Sequence, residues 1–172
     1  NEVSLNDRVT LVYIREYQPD DYLSVRQLFV NGQLDFAIGE PFEPEVRSYI
    51  RRSLGLDLKD ITTHYKTHDS SNFWIAEISG EIKGTVAIQH HSKESAELRR
   101  MSVSRDARRK GIGTLLLNTV DQFCRDQSYG RIFLSTVSHL APAIRMYKTN
   151  GYMKTHKEAY GLLTVEHYVK SL

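Results

Sequence analysis

Residues 96–124 read AELRRMSVSRDARRKGIGTLLLNTVDQFC. Ala96–Val103 has the length and content of a strand, and a helix is expected from about Gly111 to Gln127. Ile112, Leu115, Leu116, Val120, Phe123 and Cys124 fall along one apolar face of that helix. Between the two elements lies the loop Arg108-Arg109-Lys110-Gly111-Ile112-Gly113, followed by Thr114. It sets three cations and two residues without side chains at a helix N-terminus. Unpaired N–H groups and the positive end of the helix dipole meet there, so the position suits a phosphate.

Two familiar phosphate loops do not fit. A Walker A loop requires a lysine after its second glycine, and Gly113-Thr114 has none there. A dinucleotide fingerprint requires a third glycine, which Asn118 and its neighbours do not supply. What remains is a pyrophosphate cradle of backbone amides over Arg108–Thr114, or a basic loop that merely starts a helix.

Upstream, Thr10–Tyr17 alternates as a strand. Asp20 is placed to cap a helix over 21–31, with Gly32 as its stop. Residues 33–70 are the least regular part, with a short helix expected at Glu45–Leu54 and a polar loop at 63–71. Asp35, Glu40, Glu43 and Glu45 make this region acidic, either as a solvated surface or as a lip that favours cationic amines. Asn72–Ser79 and Glu81–His91 read as a hairpin turning at Ser79-Gly80. Downstream come the strand Arg131–Val137, a helix opened by Pro142 and ending near Asn150-Gly151, and closing strands at Tyr152–Thr155 and Leu162–Lys170. The order implies an α/β mixed sheet of about seven strands flanked by about four helices.

The chain of 172 residues, 40% hydrophobic and 26% charged, is expected to form a single domain over 1–172. A net charge of +2 is too small to argue for nucleic acid, and an anionic cofactor explains the basic cluster at 99–110 equally well. The single cysteine, Cys124, precludes an internal disulfide and reads as an inert core thiol. No apolar run approaches the roughly 20 residues of a bilayer span, and no signal-peptide pattern opens the chain. A cytoplasmic monomer or homodimer is therefore expected. His90-His91 and His64/His68 invite a metal, but strand neighbours point to opposite faces and no carboxylate or cysteine completes a set.

A second motif, Tyr147-Lys148-Thr149-Asn150-Gly151-Tyr152, follows the glycine loop. Together the two resemble the GNAT superfamily of acetyl-CoA-dependent N-acetyltransferases, with its Arg/Gln-x-x-Gly-x-Gly/Ala loop and its Tyr-x-x-x-Gly-Phe/Tyr element. Glu97-Leu98-x-x-Met101-Ser102-Val103 and the ending Thr164-Val165-x-His167 are most similar to the camello-type branch, which includes cysteine-conjugate and aspartate N-acetyltransferases. There are two departures. Membrane-bound members carry a long apolar segment ahead of the Trp-containing strand, whereas residues 48–66, SYIRRSLGLDLKDITTHYK, are far too polar to insert. Leu140 stands seven residues before Tyr147, where many members have a cofactor-contacting Asn.

The resemblance implies acetyl-CoA as cosubstrate, a primary amine of a small molecule or amino-acid derivative as acceptor, and no metal. It implies that the backbone of Met101, Ser102 and Val103 guides the pantetheine arm, that Arg108–Thr114 hold the pyrophosphate, and that Tyr147 protonates the departing thiolate. Alternatively, Tyr147 is an aromatic packed under the sheet. A neutral amine must be generated from an ammonium ion, and Glu97 is the candidate base. It lies eleven residues before Arg108, the spacing at which the histone-acetyltransferase branch places its base. Alternation sets Glu97, Arg99, Met101 and Val103 on one face. Glu97 otherwise reads as a carboxylate paired with Arg99 or Lys93, with a water chain carrying the proton. Arg99 or Arg100 suits a substrate carboxylate, and alternation lets only one face the site, with Arg99 favoured.

Overall fold

The computed structural model describes residues 2–5 and 8–172. β1 (Glu2–Leu5) and β2 (Arg8–Leu11) form a separate antiparallel pair. The expected strand over 10–17 is therefore divided at Val12, and β3 (Tyr13–Glu16) begins the main sheet. The remaining elements are α1 (Tyr22–Ala37), α2 (Glu43–Gly55), α3 (Ile61–Tyr65), β4 (Asn72–Ile78), β5 (Glu81–His90), β6 (Ser95–Val103), α4 (Ile112–Asp126), β7 (Arg131–Val137), α5 (Ala141–Thr149), β8 (Met153–Tyr160) and β9 (Leu163–Ser171). The seven main strands run in the order β3-β4-β5-β6-β7-β9-β8. Every neighbouring pair is antiparallel except β6 and β7, which the α4 crossover joins in parallel.

The sheet separates two cores. On one face Ile112, Leu116, Val120 and Cys124 of α4 and Tyr147 of α5 pack against Val86, Ile88, Leu98 and Leu134. On the other, Val25 and Phe29 of α1, Val46 and Ile50 of α2, and Tyr65 of α3 pack against Phe73, Ile75 and Ala87.

The upstream helices depart from the sequence reading. α1 does not stop at Gly32, because Val25, Leu28, Phe29 and Ala37 keep its buried face continuous to its end. Gly39, at φ 82°, lies just beyond that end and suits the stop better. Nor is 63–71 all polar loop. Asp60 accepts from the Thr63 N–H at 3.0 Å and caps α3, and fully buried Tyr65 donates to Asp57 at 2.6 Å. β8 is also twice the expected length, since its polar residues form an edge strand exposed along nearly all its length.

One irregularity shapes the middle of the sheet. Ala87 pairs with Arg99 and Thr85 with Ser102, so Arg100 and Met101 together oppose one residue of β5. Arg100 takes φ 56°, which few non-glycine residues adopt without support. The Thr85 hydroxyl supplies some of it, donating to the Arg100 carbonyl at 2.8 Å. The guanidinium supplies the rest. Nε and Nη2 donate to the two oxygens of Asp57 at 2.8 and 2.5 Å, with 4% and 1% of the two side chains exposed.

Burial alone would raise the Asp57 carboxyl, but the Arg100 hydrogen bonds and charge, with Arg99 and Tyr65, outweigh it and hold it below its ordinary 3.8. Its contribution is thus present above that value and lost as pH falls through the lower folded one. Asp57→Asn should leave a buried guanidinium uncompensated and cost about 3–5 kcal/mol at pH 7. That is a fall in Tm of roughly 6–20 °C at this chain size. Thermal melts should also show the gap to wild type closing below about pH 4 as Asp57 itself protonates.

Candidate active site

β6 and β7 pair only at Ser95–Arg131, Ala96–Ile132 and Glu97–Phe133. Beyond that point β6 keeps only β5 and β7 keeps only β9. A cavity of about 440 Å³ opens where they part, lined by Glu97–Ser102 of β6 and Leu134–Val137 of β7. The Ser104 N–H donates to the Lys83 carbonyl at 2.8 Å, so the backbone of Ser104 faces β5. By strand alternation Ser102 also faces β5, while Met101 and Val103 turn their N–H and C=O groups to the unpaired edge. The Val103 carbonyl already accepts from Arg108 Nε at 3.1 Å.

The bulge rearranges the expected face. Glu97 and Arg99 lie on the α1/α2 side, but the side chains of Met101 and Val103 pack into the α4/α5 core. The expectation that all four share one face is therefore wrong, because alternation cannot register an inserted residue. The same insertion lets both Arg99 and Arg100 line the cavity, where alternation allowed only one. They differ in freedom. Arg100 is held by Asp57, Ser53 and Tyr49 and lies over the Phe29 ring. Arg99 donates to Gln89 at 2.6 Å, stands 3.8 Å from Asp57 and 3.9 Å from Glu97, and keeps about a quarter of its side chain exposed.

α1 and α2 form the far wall through Phe29, Gln33, Phe36, Val46, Tyr49 and Arg52. Arg52 donates to the Tyr160 hydroxyl and sits 5.1 Å over its ring. The acidic residues of 35–45 are elsewhere. Asp35 pairs with Arg108 at 2.9 Å, Glu43 with Arg47 at 2.7 Å, and Glu45 accepts from the Leu162 N–H. The acidic lip is thus not part of this cavity, whose charged lining is Arg52, Arg99, Arg100 and Glu97.

Tyr147 enters from the opposite face of the sheet. Pro142 opens α5 at its first turn, and one turn later Tyr147 is buried with its ring 5.8 Å from Tyr152 in an edge contact. It lines the cavity, and its hydroxyl makes no hydrogen bond among the described residues. Burial pushes its phenol above the ordinary value, with Tyr49 a smaller contributor. Tyr147 is therefore packed under the sheet, as one sequence reading had it, and it also faces the cavity.

The glycine loop lies beyond the cavity, and none of Arg108–Thr114 lines it. Gly111 caps α4 at φ 79°, with open space where a Cβ would sit. Gly113 has a different reason to be glycine: a Cβ there would collide with the Met146 sulfur of α5. Gly111 thus leaves the helix N-terminus accessible, while Gly113 leaves room for the Met146 side chain of α5. Arg109 and Thr114 are exposed, Ile112 is buried, and Lys110 Nζ donates to the Asp106 carbonyl at 3.0 Å.

Tyr49, Arg52, Ser135 and Tyr160 line the cavity but carried no motif in the sequence. Ser135 alternates with buried Leu134 inside an apolar strand, a signal too common to single it out. Burial pushes the Cys124 thiol up to about 12, as a core cysteine requires. Among the described residues no cluster of three or more His, Cys, Asp and Glu could hold a metal, and no helix is long and apolar enough to cross a membrane.

The acetyltransferase (GNAT) family profile matches residues 39–152. The chain is 34% identical over 134 residues to N-acetyltransferase 8 of Rattus norvegicus, covering 75% of this chain and 59% of that protein. It is 34% identical over 116 residues to the probable N-acetyltransferase camello of Xenopus tropicalis, covering 66% and 53%. It thus spans between about half and three-fifths of the length of these curated relatives. In structure it is similar to a GNAT acetyltransferase of Staphylococcus aureus Mu50, with TM-score 0.79, 22% identity and 94% and 99% of the two chains covered. It is also similar to the PaiA N-acetyltransferase of Thermoplasma acidophilum, solved with coenzyme A, at TM-score 0.78, 17% identity and the same coverage. At these identities the structural likeness is one of fold.

Proposed function

This chain belongs to the acetyltransferase (GNAT) family, and we propose that it transfers acetyl from acetyl-CoA directly to a primary amine of a small molecule or amino-acid derivative. The observation that carries this reading is the parting of β6 from β7. It brings an unpaired strand edge, Glu97 and Tyr147 to one cavity. In this reading the edge at Met101 and Val103 pairs with the extended arm of the cosubstrate, Ser102 walls the cavity behind it, and the Arg108–Thr114 amides receive the pyrophosphate. Amine and thioester meet in the cavity in a ternary complex.

The acceptor enters from the α1/α2 side. Arg99, its guanidinium partly open in the cavity, binds an acceptor carboxylate there, with Arg52 adding positive charge. Glu97 takes the proton that an alkylammonium must lose before its nitrogen can attack. Tyr147 acts on the leaving group. Burial keeps its phenol protonated and also makes it a weaker acid than a thiol of pKa about 8.5. It therefore stabilises the departing thiolate through a hydrogen bond instead of surrendering its proton.

A panel of alkylamines, amino acids, cysteine conjugates and lysine peptides, assayed for thiol release from acetyl-CoA, tests this reading. Turnover is expected with amines that carry a carboxylate. Turnover with peptides alone would shift it to protein acetylation, and binding of acetyl-CoA without turnover would make the chain a regulatory module. Tyr147→Phe should lower kcat by about 10²-fold with the acetyl-CoA Kd nearly unchanged by calorimetry. Glu97→Gln should lose about 10²-fold in kcat/KM at pH 7. That loss should shrink as pH rises toward the roughly 10.4 of an alkylamine, and a pH-independent loss would remove Glu97 as the base.

A further inference from the structure

The floor of the cavity on the β7 side connects to a second polar array. Ser135 of β7 is the register partner of His167 on β9, and Ser135 Oγ lies 2.8 Å from His167 Nδ1. On the far side of that ring, His167 Nε2 lies 2.7 Å from Glu158 Oε1 of β8. A carboxylate only accepts, so the neutral imidazole carries its proton on Nε2 and offers the Nδ1 lone pair to the Ser135 hydroxyl. His156 stacks on the same ring at 4.2 Å and 8° between planes, fixing its orientation. Ser135 is exposed, as is 62% of the Glu158 side chain, while 22% of the His167 side chain between them is exposed, so both ends of the array reach solvent.

Ser135 also faces the right way. Phe133 is the partner of Glu97, and Ser135 is two residues further on the same face of β7. Both Glu97 and Ser135 line the cavity. We propose that Ser135, His167 and Glu158 form a proton relay that takes the second of the two protons an amine nitrogen loses during acetyl transfer. The inference rests on the acetyl-transfer reading of the cavity.

An ammonium acceptor gives up its first proton to Glu97, which frees the lone pair. Attack on the thioester carbonyl forms the C–N bond and leaves the nitrogen cationic again. As the C–S bond breaks with its electron pair on sulfur, the excess proton passes from nitrogen to Ser135 Oγ. The hydroxyl's own proton moves to His167 Nδ1 in the same event. The resulting imidazolium rests against the Glu158 carboxylate, and its proton leaves to water at that exposed end. The thiolate takes up one of the two released protons, so the reaction yields amide, thiol and one proton. Among the described residues, the titratable groups recorded against His167 are Glu158 and His156 of β8, with the Ser135 hydroxyl of β7.

The two acceptors differ in what removes the need for them. An alkoxyamine is already neutral at pH 7 and has only the second proton to lose. Ser135→Ala and His167→Gln should lower kcat by about 10–100-fold with both an alkylamine and an alkoxyamine, leaving the acetyl-CoA Kd unchanged. Ser135→Thr, which keeps the hydroxyl, should restore most of the rate, whereas Glu97→Gln should be impaired with the alkylamine alone. Unchanged rates in Ser135→Ala and His167→Gln would overturn the relay, as would a loss confined to the alkylamine. An acetyl ester on Ser135, found by mass spectrometry after incubation with acetyl-CoA alone, would overturn it in favour of a covalent nucleophile. No thiol release by the wild-type protein across the panel sinks the transfer reading and the relay together. Wild-type turnover with unaffected variants sinks the relay alone.

Discussion

The bidentate pair between Arg100 and Asp57 anchors β6 just past the point where it parts from β7. The bulge that Arg100 occupies lies just past the last β6–β7 pair, Glu97–Phe133, and turns Met101 and Val103 onto the opposite face of the sheet. A continuous ladder would close the cavity and satisfy the edge at Met101 and Val103 internally. An arginine at φ 56° is a strained choice, and glycine would adopt that conformation more readily. Glycine, however, could not reach 43 residues back to Asp57 and tie the strand to the segment after α2. Buried ion pairs add little net stability compared with apolar packing, but they select one geometry. Here the geometry is a strand that leaves its neighbour.

That departure gives the two faces of the sheet separate tasks. In the proposed reaction the α4/α5 face presents the leaving-group side, with Tyr147 carried on α5. The α1/α2 face presents the acceptor side of that reaction, with Glu97, Arg99 and Ser135 lining the cavity there. The sheet is the partition, and at the gap between β6 and β7 groups from both faces line one cavity.

The elements that carry the cofactor side were readable because their signals are local. Pro142, Gly111, the apolar stripe of α4 and the Ser79-Gly80 turn each act within a few residues, and they stand where expected. The acceptor side was not readable, because its determinants are long-range. Nothing in the run Leu98-Arg99-Arg100-Met101 marks one arginine as an inserted residue, and only its partner Asp57 explains it. Gly32 looked like a stop because a glycine's local meaning is weak, while the packing that carries α1 past it comes from the sheet. Ser135 and His167 become a pair only through the β7–β9 register, which no short pattern encodes.

The burial of Tyr147 has a chemical consequence for the rest of the site. Packing the ring against Tyr152 places its hydroxyl at the cavity, and the same desolvation that raises its phenol makes full proton donation to a thiolate uphill. In the proposed reaction such a donor steadies the thiolate by a hydrogen bond. In that reaction the two protons of the amine are taken up on the acceptor face, where a single carboxylate that has accepted one is no base for the next. The proposed relay supplies the other acceptor, as the hydrogen bonds across β7, β9 and β8 run from the Ser135 hydroxyl to the exposed Glu158 carboxylate.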